Sequence, residues 1–192
     1  MDNHDSIIEE LGKRINERRL KHSIGVSRCA KRLALHYNQN AEKAELAGLV
    51  HDCAKGLSYE DSIYLAKKFG YEPDEIERIN YGLLHAPVGA ILAQEMFGIR
   101  DKEILDAIAC HTTGKKGMSI FEKIIFLADY IEEGRSFQGV EEIRSLAFTD
   151  LNQALLRALE QSIRRILDRN KLLHPMTVDA RNALLLEIRD GA

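Results

Sequence analysis

Apolar residues recur at helical spacing along nearly the whole chain, and no stretch alternates apolar and polar residues around an Asn-Gly or Asp-Gly turn. A period of 3.6 residues buries one stripe of a helix, whereas a period of two would bury one face of a sheet. The pattern predicts an all-α fold. Ile7, Ile8, Leu11 and Ile15 place a helix over 6–15, and Ile24, Val26, Ala30, Leu33 and Ala34 face inward from a longer one over about 18–37. Asn40 fits the N-cap of a helix that runs through Leu46, Leu49 and Val50 into His51-Asp52 and stops at Gly56. Ser58 with Asp61 opens the next, which Gly70 closes. Further helices are expected over 73–80, 85–97, 101–111, 119–132, 140–170 (in one variant broken near Thr149-Asp150) and 177–189. The three prolines, at 73, 87 and 175, fit helix starts or connections.

A chain of 192 residues fits one domain and should bury roughly 70% of its unfolded surface, enough for a core without staples. The net charge of −3 argues against a broad polyanion-binding surface, so no nucleic-acid partner is expected and a nucleotide site must be a local basic pocket. Cys29, Cys53 and Cys110 are odd in number and form no CxxC; they read as small apolar packing residues in a reducing compartment. No signal segment opens the chain, and no apolar run approaches the ~20 residues that span a bilayer. A cytoplasmic protein without a membrane partner is expected.

Within this helical, apolar background lie His22, the adjacent pair His51-Asp52, His85, His111 and Asp129. A buried polar group without a partner costs roughly 1–3 kcal/mol, so six of them are explained most economically by convergence on one shared ion. His51-Asp52 and His111 are expected in the last turns of their helices, where side chains point into a cleft. Successive helical residues diverge by about 100°, so His51 and Asp52 either bind one ion from different directions or divide the work between ligand and orienting group. A mixed imidazole and carboxylate set suits Fe, Mn, Co or Zn better than Mg or Ca. Such an ion acidifies water and polarises a phosphoryl oxygen, which points to a metal-dependent hydrolase. His4 and His36 fall outside the set and are expected to be exposed.

His22, His51-Asp52 and Asp129, in that order on a helical scaffold, resemble the H…HD…D signature of the HD superfamily of metal-dependent phosphohydrolases. The resemblance implies that His22, His51, Asp52 and Asp129 hold the metal. The stretches RLKHSIGVS, LAGLVHDCAKG, GLLHAPVGA, CHTTGKKGMSIFEKIIFLADYIEEGR and LHPMTVDARNALL span residues 19–185. Together they are similar to the bacterial HD-type symmetrical diadenosine tetraphosphatases. That finer resemblance implies a single iron-like centre, diadenosine tetraphosphate as substrate, two ADP as products, and a metal-binding core over about 18–135 completed by helices at 140–190.

A central cut places charge on the bridging and equatorial oxygens, which nearby cations and donors stabilise. Lys55 reads either as a phosphate ligand or as a lysine complementing a helix C-terminus. His85 and His111 are candidate phosphate donors or the leaving-group acid, or else ligands of a second metal, as in the longer H…HD…H…H…D pattern. Arg135 offers a fork for two phosphate oxygens. Arg19 and Lys21 beside His22, and Thr112 beside His111, join the substrate set. So do His174, Pro175, Met176, Thr177 and Arg181, with Thr177 placed as the N-cap of the last helix. By resemblance the segment 172–182 lines the nucleotide site. The apolar stripe from Leu146 to Leu167 is either core or the face of a homodimer. Two other readings compete: an HD-fold nucleotidase or cyclic-nucleotide phosphodiesterase, and a module that senses ADP or GDP without turnover. A helical protein with a vestigial site stands behind both.

Overall fold

The computed structural model describes residues 3–191. Eleven α-helices and one 3-10 turn follow one another, with no strand among the described residues. The first half comprises α1 (Asn3–Gly12), α2 (Glu17–His36), α3 (Ala41–Val50), the 3-10 turn Cys53–Gly56, α4 (Tyr59–Lys68), α5 (Glu75–Ile79) and α6 (Tyr81–Phe97). The second comprises α7 (Lys102–Cys110), α8 (Ile120–Ile131), α9 (Val140–Leu146), α10 (Leu151–Asp168) and α11 (Pro175–Asp190).

Side-chain caps set most of the starts. Asn16, Asn40, Ser58 and Asp150 each accept a hydrogen bond from the amide three residues on. Asp74 with Glu77 and Ser119 with Glu122 form reciprocal capping boxes that satisfy two free amides each. These caps explain several departures from the periodicity. The first helix ends at Gly12 instead of Ile15, because Asn16 must be extended to cap α2. The stretch 140–170 is two helices, because Asp150 adopts φ −151° and caps the second. His51 is the C-cap of α3 and Asp52 lies past it, so the pair sits just beyond the last turn. Pro87 is inside α6, not at a start or connection; it leaves the carbonyl four residues earlier without its helical donor.

α8 is the central element, with Phe121, Ile124, Ile125, Leu127 and Ala128 buried and α2, α3, α7, α9 and α10 packed around it. A helix enclosed on most sides carries apolar residues all round. The α2–α3 pair approaches closely at Gly48, where a Cβ would meet the Ser27 Cα at 2.9 Å. The stripe of α10 is core at Leu151, Ala154, Leu155, Ala158 and Leu159. The fold thus brings the ends of α3, α7 and α8 and the second turns of α2 and α6 to one place. His36 is exposed as expected, but His4 is half-buried where α1 lies against α2 and α3.

Candidate metal centre

Four ligand-competent atoms converge where these elements meet. His22 Nε2 lies 2.9 Å from Asp129 Oδ1 and 3.9 Å from Asp52 Oδ2. His51 Nε2 lies 3.6 Å from Asp52 Oδ2 and 3.7 Å from Asp129 Oδ1. Nitrogen and oxygen ligands bind such metals at about 2.0–2.2 Å, which sets neighbouring ligand atoms roughly 3–3.5 Å apart. His51 Nε2 is fully buried and has no hydrogen-bond partner, a state that costs roughly 1–3 kcal/mol unless something binds it. The orphaned nitrogen, the spacing and the mixed donor set all fit a transition metal, and His22, His51, Asp52 and Asp129 would hold it.

The imidazoles are aimed by one repeated device. The Nδ1 hydrogens of His51 and His111 are donated to the carbonyls of Gly48 and Ile108, each at 2.7 Å. His85 donates likewise to Gly82. A carbonyl can only accept, so Nδ1 carries the hydrogen and Nε2 is left bare toward the centre. His22 Nδ1 is instead tied to Glu132 Oε1 at 3.1 Å. Glu132 is buried and also accepts from the Gly134 amide at 2.6 Å. Sequence reasoning missed it; its one signal is a place three residues after Asp129, on the same side of α8.

Asp52 faces two ways. Its Oδ2 belongs to the set above, while Oδ1 lies 3.1 Å from His85 Nε2 and 3.7 Å from His111 Nε2. Those two nitrogens are 3.1 Å apart. Two bare lone pairs and a carboxylate oxygen meet there, an arrangement that is favourable only around a cation or with one ring protonated. Burial pushes His85 down to about 4, which favours the neutral ring. Burial opposes ionisation of Asp52, but His51, His111 and His85 outweigh it and hold the carboxyl well below the usual range. Burial is likewise overcome at Asp129 by His22, His51 and Arg135. His51 is raised, because Asp52 and Asp129 outweigh its burial.

Cations surround the carboxylates. Arg19 Nη1 is 2.9 Å from Asp52 Oδ2. Arg135 directs its fork at Asp129, with Nη2 on Oδ1 at 2.6 Å and Nε on the backbone carbonyl at 2.9 Å. Arg135, expected as a phosphate clamp, is here held against Asp129, one of the candidate ligands. Lys55, in the 3-10 turn, is half-buried, and burial lowers its pKa with Arg19 and Arg135 adding to the effect against Asp52 and Asp129. Lys21 is exposed and pairs with Glu17 at 2.7 Å. Beside the centre a cavity of about 680 Å³ is bounded by α2 and the turn after α8, and His22 and Arg135 stand in its wall.

The remaining sequence-predicted residues lie in the turn after α7 and in α11 with its N-cap. Thr112 is half-buried in the turn after His111. That turn packs on α11, since a Cβ at Gly114 would meet Ala180 Cβ at 3.0 Å. The N-cap of α11 is His174, not Thr177: its Nδ1 accepts from the Met176 amide, with Pro175 as first helical residue. Proline needs no amide partner at that position, which fixes the start three residues earlier than a Thr177 cap would. Thr177 is buried and Met176 exposed. His174 Nε2 reaches Asp74 at 2.7 Å, and Arg181 is engaged by Glu160 at 2.7 Å.

Comparisons with known proteins agree with this geometry. A family model described as HD domain matches residues 19–134. The chain is 41% identical to a symmetrical bis(5'-nucleosyl)-tetraphosphatase of Halalkalibacterium halodurans, covering 96% of this chain and 98% of that protein. It is 39% identical to the protein of the same description from Bacillus subtilis, over 91% of this chain and 94% of the relative. A crystal structure of a predicted HD superfamily hydrolase involved in NAD metabolism, from Clostridium acetobutylicum, superposes with a TM-score of 0.93 at 47% identity. That likeness covers 96% of this chain and 97% of the other.

Proposed function

Because the chain belongs to the HD domain family, with relatives that are symmetrical tetraphosphatases along almost its whole length, we propose that it hydrolyses diadenosine tetraphosphate into two ADP. The observation that carries the reading is the convergence of His22, His51, Asp52 and Asp129 on the orphaned His51 Nε2. When bound there, a transition metal supplies an acidified water and polarises a phosphoryl oxygen. Iron is our choice, with manganese, cobalt or zinc as the other metals this donor set accepts.

Water attacks one β-phosphorus; the bond from that phosphorus to the central bridging oxygen breaks, and the oxygen departs with the second ADP. The protein's residues do the rest. Asp52 and Asp129 stay ionised and accept a hydrogen bond from the incoming water. Arg19 and Arg135 hold those carboxylates in place, and their remaining N–H groups face the phosphates. Lys55 has no ion-pair partner within 4 Å among the described residues, and the charges of Asp52 and Asp129 act on it. It is positioned to offset charge that grows on the equatorial oxygens.

His85 and His111 we assign to a second cation that shares Asp52, in place of the role at the phosphates that sequence alone favours. The two facing lone pairs support that assignment. One nucleoside lies toward the N-terminus of α11, where Met176 is exposed and Thr177 and His174 fix the backbone; ADP or GDP would occupy it as product-like ligands. A sensor that binds without turnover has no use for so complete a donor set. A homodimer through α10 has little face left, since its stripe is core as far as Leu159. No helix among the described residues is long and apolar enough to cross a membrane, in keeping with a cytoplasmic site of action.

The test is turnover by metal-stripped protein reloaded separately with Fe(II), Mn, Co, Zn or Mg. ADP as sole product, dependent on a transition metal, is the expected result. AMP plus ATP, or cleavage of nucleoside monophosphates or cyclic nucleotides in its place, would overturn it.

A further inference from the structure

A symmetrical cut needs a seat for each half of the substrate, and the nucleoside position at α11 accounts for only one. We infer that the cavity beside His22 is the seat of the other nucleoside diphosphate, with Arg18 and Arg28 as its phosphate-reading residues. The inference rests on the tetraphosphate reading and assigns the half that reading leaves unplaced.

The cavity has the size and the charge for this. Its volume of about 680 Å³ lies within the roughly 300–1,000 Å³ typical of small-molecule pockets. Five cationic side chains line it, namely Arg18, Arg19, Lys21, Arg28 and Arg135, against the carboxylates of Glu132 and Glu133. Glu132 is already engaged by His22 and the Gly134 amide, and Glu133 lies 3.3 Å from Arg32. In a chain of net charge −3 this is the local basic pocket that an anionic ligand requires.

Its shape follows from α2. Arg18, His22, Gly25 and Arg28 are spaced at three or four residues, so they share one helix face, and Arg18 and Arg28 stand about 15 Å apart along the axis. His22 lies between them as the one candidate ligand in the cavity wall, and Arg19 and Arg135 in the same wall touch Asp52 and Asp129. Gly25 makes room for the Glu132 carboxylate, whose Oε2 a Cβ there would meet at 2.5 Å. Arg18 and Arg28 are exposed and have no ion-pair partner among the described residues, although every other cation of the cavity has one. Two free guanidinium groups flanking a reaction centre match diphosphate oxygens better than they match any protein group present.

The experiment is calorimetric titration of ADP into metal-loaded protein, paired with steady-state kinetics. Wild type should bind two ADP per chain and Arg18→Ala/Arg28→Ala only one. The same variant should raise KM for diadenosine tetraphosphate by roughly 100-fold, about tenfold for each lost charge-assisted contact. Both positions are on an exposed helix face where alanine preserves helix propensity, so folding is retained. Arg164→Ala/Arg169→Ala, with the same loss of net charge at α10, should leave stoichiometry and KM as in wild type. One ADP per chain in wild type, or an unchanged KM in the double variant, would overturn the inference. Loss of the second ADP in the variant, from a wild type that does not cleave the tetraphosphate, would uphold the cavity as a nucleotide seat and sink the reaction instead.

Discussion

Glu132 Oε1 sits 3.1 Å from His22 Nδ1, on the far side of the ring from Asp129. A carboxylate at that position fixes the tautomer of His22 and makes its Nε2 a stronger donor, and losing such a partner costs roughly 10–100-fold in metal affinity. Glu132→Gln keeps the shape and one acceptor, so a loss near tenfold is expected. Glu132→Ala also strands the Gly134 amide and should lie at the upper end. Chelator competition measures the affinity, and excess metal should restore turnover in both variants. Activity that stays low at saturating metal would mean that Glu132 acts elsewhere.

Asp52 is the one residue that offers an oxygen to each ligand set. Asp52→Ala should therefore lower metal content at both and cut kcat by at least about 10³, the scale on which removing a key charge-stabilising group acts. Far-UV circular dichroism should remain that of wild type, because the turn after α3 carries no core side chain at this position. Near-wild-type turnover would remove Asp52 from the mechanism.

The facing nitrogens of His85 and His111 predict a countable result. Wild type should hold two metal ions per chain by elemental analysis, and His111→Ala one. If wild type holds a single ion and His111→Ala keeps it, the pair acts on the phosphate, and kcat should then fall without a change in metal content.

Lys55 supplies a pH dependence. Burial lowers its pKa from the ordinary lysine value, so the ammonium loses its proton at a lower pH than an exposed lysine would. Rising pH then removes a positive charge from the phosphate side of the centre, and ADP affinity should weaken on the alkaline side. Asp52 and Asp129, held far below the usual range, are already ionised there and add nothing to that limb. Lys55→Arg should push the alkaline limb to higher pH, and Lys55→Met should weaken binding at neutral pH and flatten the profile.

The candidate metal ligands were legible in the sequence because they are polar residues inside apolar helices, and His51-Asp52 are adjacent. The all-α fold was legible from periodicity alone. What escaped the sequence depended on neighbours distant along the chain. Glu132 is one acidic residue among several near a helix end until His22 is placed 3.1 Å away, 110 residues earlier. Arg135 is legible as a cation but not as a brace, since its target depends on the turn at Gly134. The break at Asp150 and the start of α11 at His174 were obscured for a local reason. Apolar spacing continues across both, and only the cap geometry interrupts it.

Besides their apolar packing, the C-terminal helices are tied to the core by one buried charge, and the two ends of that contact should respond unequally. Lys123 on α8 is buried and donates to Glu187 on α11 at 2.6 Å and to Asn152 on α10 at 2.9 Å. The Glu187 side chain is 48% exposed. Removing Glu187 leaves the Lys123 ammonium buried with one neutral acceptor, whereas removing Lys123 leaves a carboxylate that water can reach. Breaking a fully buried pair costs 3–5 kcal/mol, and half-exposure reduces that to about 2 kcal/mol for Glu187→Ala. In a chain of this size Tm should then fall by roughly 4–8 °C. Lys123→Met, which fills the same space without a charge, should cost less than about 1 kcal/mol. Because α11 is proposed to carry one nucleoside, loosening it should raise KM while metal content stays at the wild-type value. Equal destabilisation by the two substitutions would mean that the pair contributes through packing and not through charge.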